Sequence, residues 1–124
     1  MALQDGTALI AGGLDVNTTA LASAETYSPA TGTFALSGSM TSIRAEHAVS
    51  LLATGQALIV GGVSYVAGSG MVLDSAELYD PSTRTFSATG AMNHYRDGPG
   101  MALLGNGQVL VVGGGFAVAE LYTP

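Results

Sequence analysis

Three glutamates recur in one phrase. Glu25, Glu77 and Glu120 each stand in Ala-Glu-x-Tyr, at 24–27, 76–79 and 119–122. Carboxylates gathered at one place could hold a metal ion or share acid and base roles. They are more simply structural. A carboxylate taken out of water needs a cationic partner, and two arginines, Arg44 and Arg96, recur 52 residues apart. A repeated Glu–Arg pairing, within or between neighbouring sheets, is therefore expected. The other groups with chemical potential fall outside this rhythm. Among them are His47 and His94 and the aromatics Tyr65, Tyr95 and Phe116. Two histidines so far apart are more simply surface or strand-end residues than metal ligands. No Ser–His–acid spacing, phosphate loop or metal motif stands in the chain. The glycine-rich run GNGQVLVVGGG at 105–115 is followed by no helical pattern, so it fails as a dinucleotide fingerprint.

The elements that must position these groups are set by the repeat. Residues 27–62 and 79–114 align without a gap, and 16 of the 36 pairs are identical. A third, partial copy supplies AGG at 11–13 beside VGG at 60–62 and 112–114. A period of 52 residues falls in the range of solenoids and propellers. Each unit reads as four short strands, a to d. Strand a is 47–52 and again 99–104; strand b is 7–13, 56–62 and 108–114. Strand c ends in the Ala-Glu-x-Tyr phrase, and strand d holds Phe34 or Phe86. Asp5-Gly6 and Asn106-Gly107 are strong hairpin dipeptides between a and b. Ser28-Pro29 and Asp80-Pro81 open the turn between c and d.

The b strands carry continuous apolar runs, ALIV at 57–60 and VLVV at 109–112, so they are expected to be covered on both faces. Four-stranded sheets packed face to face around an axis meet that demand. The paired glycines closing strand b, Gly12 and Gly13, Gly61 and Gly62, Gly113 and Gly114, suit places where a Cβ would not fit. Tyr27, Tyr79 and Tyr122, with Phe34 and Phe86, are expected as core aromatics between sheets.

The order of diglycine, variable stretch, AExYxP, TxTF, GxM, arginine and an apolar strand pair resembles the kelch repeat, and its bacterial type most of all, over essentially the whole chain. One departure is the absence of tryptophan, where Phe34 and Phe86 stand instead. The WD repeat, with its shorter period and Trp-Asp ending, is a poorer match. The resemblance implies an all-β fold, a partial β-propeller of four-stranded antiparallel blades. It implies a partial blade of strands b, c and d over 1–36, a complete blade over 44–88 and a partial blade of a, b and c over 96–124. About two and a half blades do not close a ring, so the chain is expected to be a segment of a longer propeller whose remaining blades are its first partners. The family is used mainly as a binding scaffold, with enzymes as a minority. Copper radical oxidases among them need a Tyr–Cys crosslink, and this chain has no cysteine.

Composition narrows the partners. Three arginines, no lysine and nine carboxylates give a net charge of −6, which argues against nucleic acid and against an anionic membrane surface. No apolar run spans a bilayer, and the residues after Met1 do not read as a signal peptide. Low charge and the bacterial-type phrase favour an extracellular or cell-surface setting. The expected function is non-enzymatic binding of a protein or glycan, with no cofactor and no metal. The alternative is a fragment of a propeller enzyme, galactose-oxidase-like or glycan-acting, whose catalytic groups lie outside this chain. In antiparallel blades the b–c loops and d–a connections emerge together, so Tyr65, His94, Tyr95, Asp97, Phe116 and Asp15 are the expected binding residues. The b–c stretch 63–75 is expected as a variable loop.

Overall fold

The computed structural model describes residues 1–124. The chain is all-β, without helices, and its small antiparallel sheets do not close on themselves. The first sheet joins β1 (Ala8–Ala11), β2 (Ala24–Ser28) and β3 (Thr33–Leu36) in that order. The central sheet holds β4 (Ala48–Leu51), β5 (Ala57–Val60), β8 (Ala76–Asp80) and β9 (Thr85–Thr89), ordered β4-β5-β8-β9. Between β5 and β8 stands a separate hairpin, β6 (Val63–Val66) and β7 (Ser69–Val72). The third sheet is β10 (Gly100–Leu103), β11 (Val109–Val112) and β12 (Glu120–Tyr122).

Local chemistry dictates the turns. Asp5 Oδ1 accepts the Thr7 amide at 2.9 Å and Asn106 Oδ1 accepts the Gln108 amide at 3.1 Å. Each side chain thereby closes its hairpin while the next residue, Gly6 or Gly107, takes a positive φ of 83° or 86°. The turn after β8 is held by Asp80 Oδ1, which accepts from the Ser82 amide and hydroxyl.

The continuous apolar run of β5 is explained by two separate cores. Ala57 and Ile59 point into one, with Leu3, Leu9, Ala24, Met40 and Tyr79 from the first and central sheets. Leu58 and Val60 point into the other, with Leu52, Ala76, Val109 and Val111. Strand alternation sends neighbours to opposite faces, and here both faces are covered, so all four residues are buried. Burying Leu58, Ile59 and Val60 contributes about 1.5–3 kcal/mol each, and the methyl of Ala57 less.

Coverage on both faces does not extend to the other b strands. Ile10 of β1 is 47% exposed and Val112 of β11 is 40% exposed. The outer sheets have a neighbour on one side only. The same asymmetry corrects the expectation of core aromatics. Tyr79 is wholly buried, but its counterpart pair Tyr27 and Phe34 lies on the open face of the first sheet, and Phe34 is 62% exposed. The rings still stack within each sheet, Tyr27 on Phe34 at 4.9 Å and Tyr79 on Phe86 at 4.8 Å.

The expected loop 63–75 is a hairpin for most of its length. Ala67 and Gly68 both adopt positive φ, 49° and 80°, which turns the chain back on itself in two residues. Ala-Gly is a weak turn signal because alanine disfavours that backbone, so the hairpin does not show in the sequence.

Candidate functional site

Two places draw the sequence-predicted residues together: the junctions between sheets, and the end of the molecule where the β1–β2, β5–β8 and β11–β12 connections meet the linkers.

At the first junction, Arg44 lies in the linker between β3 and β4 and is fully buried. Its Nη1 donates to the carbonyls of Gly61 at 2.8 Å and Ser75 at 3.2 Å. Its Nη2 donates to Ser75 Oγ at 3.1 Å and to Glu77 Oε1 at 2.7 Å. Glu77 also accepts the amides of Thr41 and Ser42, at 2.6 Å and 3.2 Å, so every charge here is paired. The backbone of the same arginine belongs to the other sheet. Its carbonyl accepts Gly13 N–H and its amide donates to the Leu21 carbonyl. One residue therefore bonds the first sheet through its main chain and the central sheet through its guanidinium.

The second junction repeats this arrangement. Arg96 donates its amide to the Leu73 carbonyl and accepts Gly62 N–H, while its side chain reaches the Gly113 and Val118 carbonyls and Glu120. Asn93 donates its amide to Glu120, as Thr41 does to Glu77. A tyrosine hydroxyl crosses each junction too, Tyr79 to Ser37 at 2.9 Å and Tyr122 to Thr89 at 3.1 Å. The first glycine of the first two pairs is required by this contact, while a Cβ at Gly113 would meet nothing. Gly61 takes φ 62°, and a Cβ there would run into the Arg96 carbonyl; Gly12 stands in the same way against the Arg44 carbonyl.

His47 packs at the first junction beside Gly12. Burial, then the Arg44 charge, lowers its imidazole to about 4 against the pull of Glu77. At the second junction Glu120 is held down at about 2. Desolvation would raise it, but hydrogen bonds from Asn93, Arg96 and His94 outweigh that effect. Glu25, third member of the glutamate set, is exposed and forms no ion pair.

The connection end holds most of the residues expected to bind. His94 and Tyr95, in the linker before β10, pack on Phe116 of the β11–β12 loop, with ring centroids 4.6 Å and 5.1 Å apart. Asp97 N–H donates to the Gly114 carbonyl in the same loop. Tyr65, on β6, donates its hydroxyl to Glu46 at 3.4 Å. Partial burial, then the Glu46 and Asp97 carboxylates, raises the Tyr65 phenol. Asp15 does not join this group; its Oδ1 accepts the amides of Asn17 and Thr19 and closes its own loop. His94 is divided between the two places, since its Nδ1 also meets Glu120 at 3.3 Å.

Two features escape the sequence reading. Glu46 holds a positive φ of 58° and touches Tyr65; the available signal is that its repeat counterpart is Gly98, with φ 57°. Exposed apolar side chains also collect in these connections: Leu14, Val16, Val66, Met71, Tyr95 and Val118, with Val16 98% exposed. The opposite end is different. There the turns after β8 and before β1 and β5 enclose an open cleft of about 520 Å³ with no hydrophobic residue in its lining. Its two carboxylates, Asp5 and Asp80, are lowered by hydrogen bonds from Thr7 and Ser82 in their own turns. No set of three or more His, Asp or Glu side chains is grouped to hold a metal ion.

No protein-family model matches the chain, and no curated protein matches it. Among solved structures, that of YjhT is similar, with a TM-score of 0.77 at 14% identity over 98% of this chain and 49% of that one. A likeness at this identity concerns the fold alone. The chain spans about half the length of the structure it matches.

Proposed function

We propose that the chain is a segment of a kelch-type β-propeller and that its connection end binds a protein or glycan partner without catalysis. The segment reading is supported by the repeated junction chemistry and by open sheet faces at both ends of the chain. The match to half of a longer structure supports it as well. The binding reading rests on one observation, the contrast between the two ends. One gathers the His94–Tyr95–Phe116 cluster and a set of exposed apolar side chains; the other holds a cleft with no hydrophobic residue in its lining. Isolated apolar residues on a surface mean little, but an apolar and aromatic set on variable connections marks an interaction surface. Aromatic rings beside Asp97 and Glu46 suit both a sugar ring and a peptide.

The test is a screen of the immobilised chain on a glycan array and a peptide library. Any specific ligand is expected to lose at least tenfold in affinity with Tyr95→Ala or Phe116→Ala and to be unchanged by Thr54→Ala at the polar end. Ligands indifferent to both aromatics but sensitive to Thr54 would move the site to the other end and end this reading.

A further inference from the structure

Glu46 keeps a carboxylate where the backbone favours glycine. It holds a left-handed φ of 58°, and its repeat counterpart is Gly98 at 57°. The fold fixes this backbone. Gly98 donates its amide to the Glu46 carbonyl at 3.0 Å, and the preceding residue, Ala45, exchanges main-chain bonds with Val63. The Glu46 carboxylate is exposed, and its one hydrogen bond comes from the Tyr65 hydroxyl at 3.4 Å. Glycine would serve the backbone better, so the carboxylate needs a reason outside folding.

That carboxylate has neighbours of one kind. The Gly98 bond sets the Asp97 peptide beside Glu46, and both carboxylates act on the Tyr65 phenol. Asp97 donates its amide to the Gly114 carbonyl, which draws the β11–β12 loop against the same linker. There Tyr95 meets Phe116 edge-on at 5.1 Å. Two exposed carboxylates thus stand in one patch with three aromatic rings, of which Tyr95 is the most open.

No cation of the chain serves these carboxylates. Lysine is absent, and Arg44 and Arg96 are buried against Glu77 and Glu120. Arg84 lies in the turn after β8, where its charge acts on Asp5 at the opposite end. His94 turns its Nδ1 to Glu120. Neither Glu46 nor Asp97 forms an ion pair. Aromatic faces beside unpaired carboxylates attract a cation twice, through the ring quadrupole and through charge. A guanidinium suits best, because it is flat enough to stack on a ring and forked enough to bridge to a carboxylate. An anionic sugar or phosphate would be repelled.

We infer that Glu46 and Asp97, with Tyr65, Tyr95 and Phe116, form a docking surface for an arginine side chain of a partner polypeptide. This rests on the binding reading of the connection end and narrows it from a protein or glycan to a basic segment. Val66 and Val118, exposed in the same connections, offer apolar contact to the residues flanking that arginine. A free amino acid or polyamine would leave them uncovered. The net charge of −6 favours encounter with such a partner.

Two arrayed peptide libraries serve as probes: random peptides centred on arginine, and the same set centred on citrulline, which keeps the shape and loses the charge. The full chain is expected to bind the arginine set about tenfold more tightly, and less tightly as salt rises. With the best peptide, Asp97→Asn and Glu46→Gly should each lower affinity about tenfold. Glu46→Gly should at the same time raise the urea midpoint, because it releases a left-handed residue. A variant that folds better and binds worse assigns the carboxylate to binding; a fall in its midpoint would make the side chain structural and overturn that assignment. Equal binding of the two libraries, or of the parent chain and both variants, would overturn the inference, as would a glycan as the tightest ligand. If such a ligand still depends on Tyr95 and Phe116, the connection-end reading stands. If no ligand depends on those rings, that reading fails and this one with it.

Discussion

The two filled junctions are built from the same residues and yet differ in depth. Glu77 is 1% exposed and has only the first linker and its own sheet around it; Glu120 is 11% exposed and shares its carboxylate with His94. The intervals differ as well. Arg44 and Glu77 lie 33 residues apart, Arg96 and Glu120 24. The β6–β7 hairpin is present in one interval and replaced by a short loop in the other, and the ion pair survives the change. Pairing is therefore specified by the end of strand b and the start of strand c, while the connection between them is free to vary. A scaffold of this kind can change its loops without disturbing the contacts that hold its sheets together.

The largest effect should come from removing one arginine at a time. Arg44→Ala leaves Glu77 buried without its charge partner, which costs about 3–5 kcal/mol. Arg96→Ala should cost less, about 1–3 kcal/mol, because Glu120 keeps the Asn93 donors and reaches water. Urea midpoints of the two variants measure the difference. Equal losses would mean that burial depth does not distinguish the junctions.

Acid should separate the junctions a second way. The folded-state value of His47, about 4, lies below its unfolded value near 6.5. Between those values the unfolded chain binds the extra proton. The stability of the first junction is then fully present above pH 6.5 and falls as pH drops toward 4. The loss is roughly 2–3 kcal/mol, since each tenfold change in proton affinity is worth about 1.4 kcal/mol and the ring is partly solvated. Glu120, held at about 2 against an ordinary 4.5, keeps its contribution above pH 4.5 and loses it as pH falls toward 2. Thermal melts from pH 7 to pH 3 should show two successive declines. His47→Gln should remove the upper one alone, and its persistence in that variant would assign it to other groups.

Much of this was legible in the residues and some was not. The strand order of the central sheet, the hairpin turns at Asp5-Gly6 and Asn106-Gly107, and the Arg44 and Arg96 partners follow from a repeat in which each identity has a packing reason. Exposure of Ile10, Phe34 and Val112 did not follow, because a repeat describes what each unit wants beside it and not which neighbour is present. Asp15 looked like a binding carboxylate because its loop is variable, yet an Asx turn, formed locally, occupies it. The β6–β7 hairpin was hidden by an alanine in a left-handed position. Such strained residues leave one trace within a repeat: a non-glycine residue standing opposite a glycine, as Glu46 does opposite Gly98.

Arg84 shows the same trace and gives the smallest test of the first junction. It holds φ at 57° where its counterpart Gly32 holds 68°, and its carbonyl accepts the Gly38 amide at 2.9 Å, tying the turn after β8 to the first linker. The third sheet has no strand after β12, so the second junction lacks this tie. The side chain is exposed, and what matters to the tie is the carbonyl. A left-handed conformation costs an ordinary residue about 1–2 kcal/mol, while glycine adds about 0.5–1 kcal/mol of unfolded-state freedom. Arg84→Gly should thus stabilise the chain by about 0.5–1 kcal/mol, seen as a small rise in the urea midpoint. Gly38→Ala should act in the opposite sense, because a Cβ there would stand 2.9 Å from the Arg84 carbonyl. A loss of stability in Arg84→Gly would show that the arginine side chain, and not its backbone carbonyl, makes this contact worth keeping.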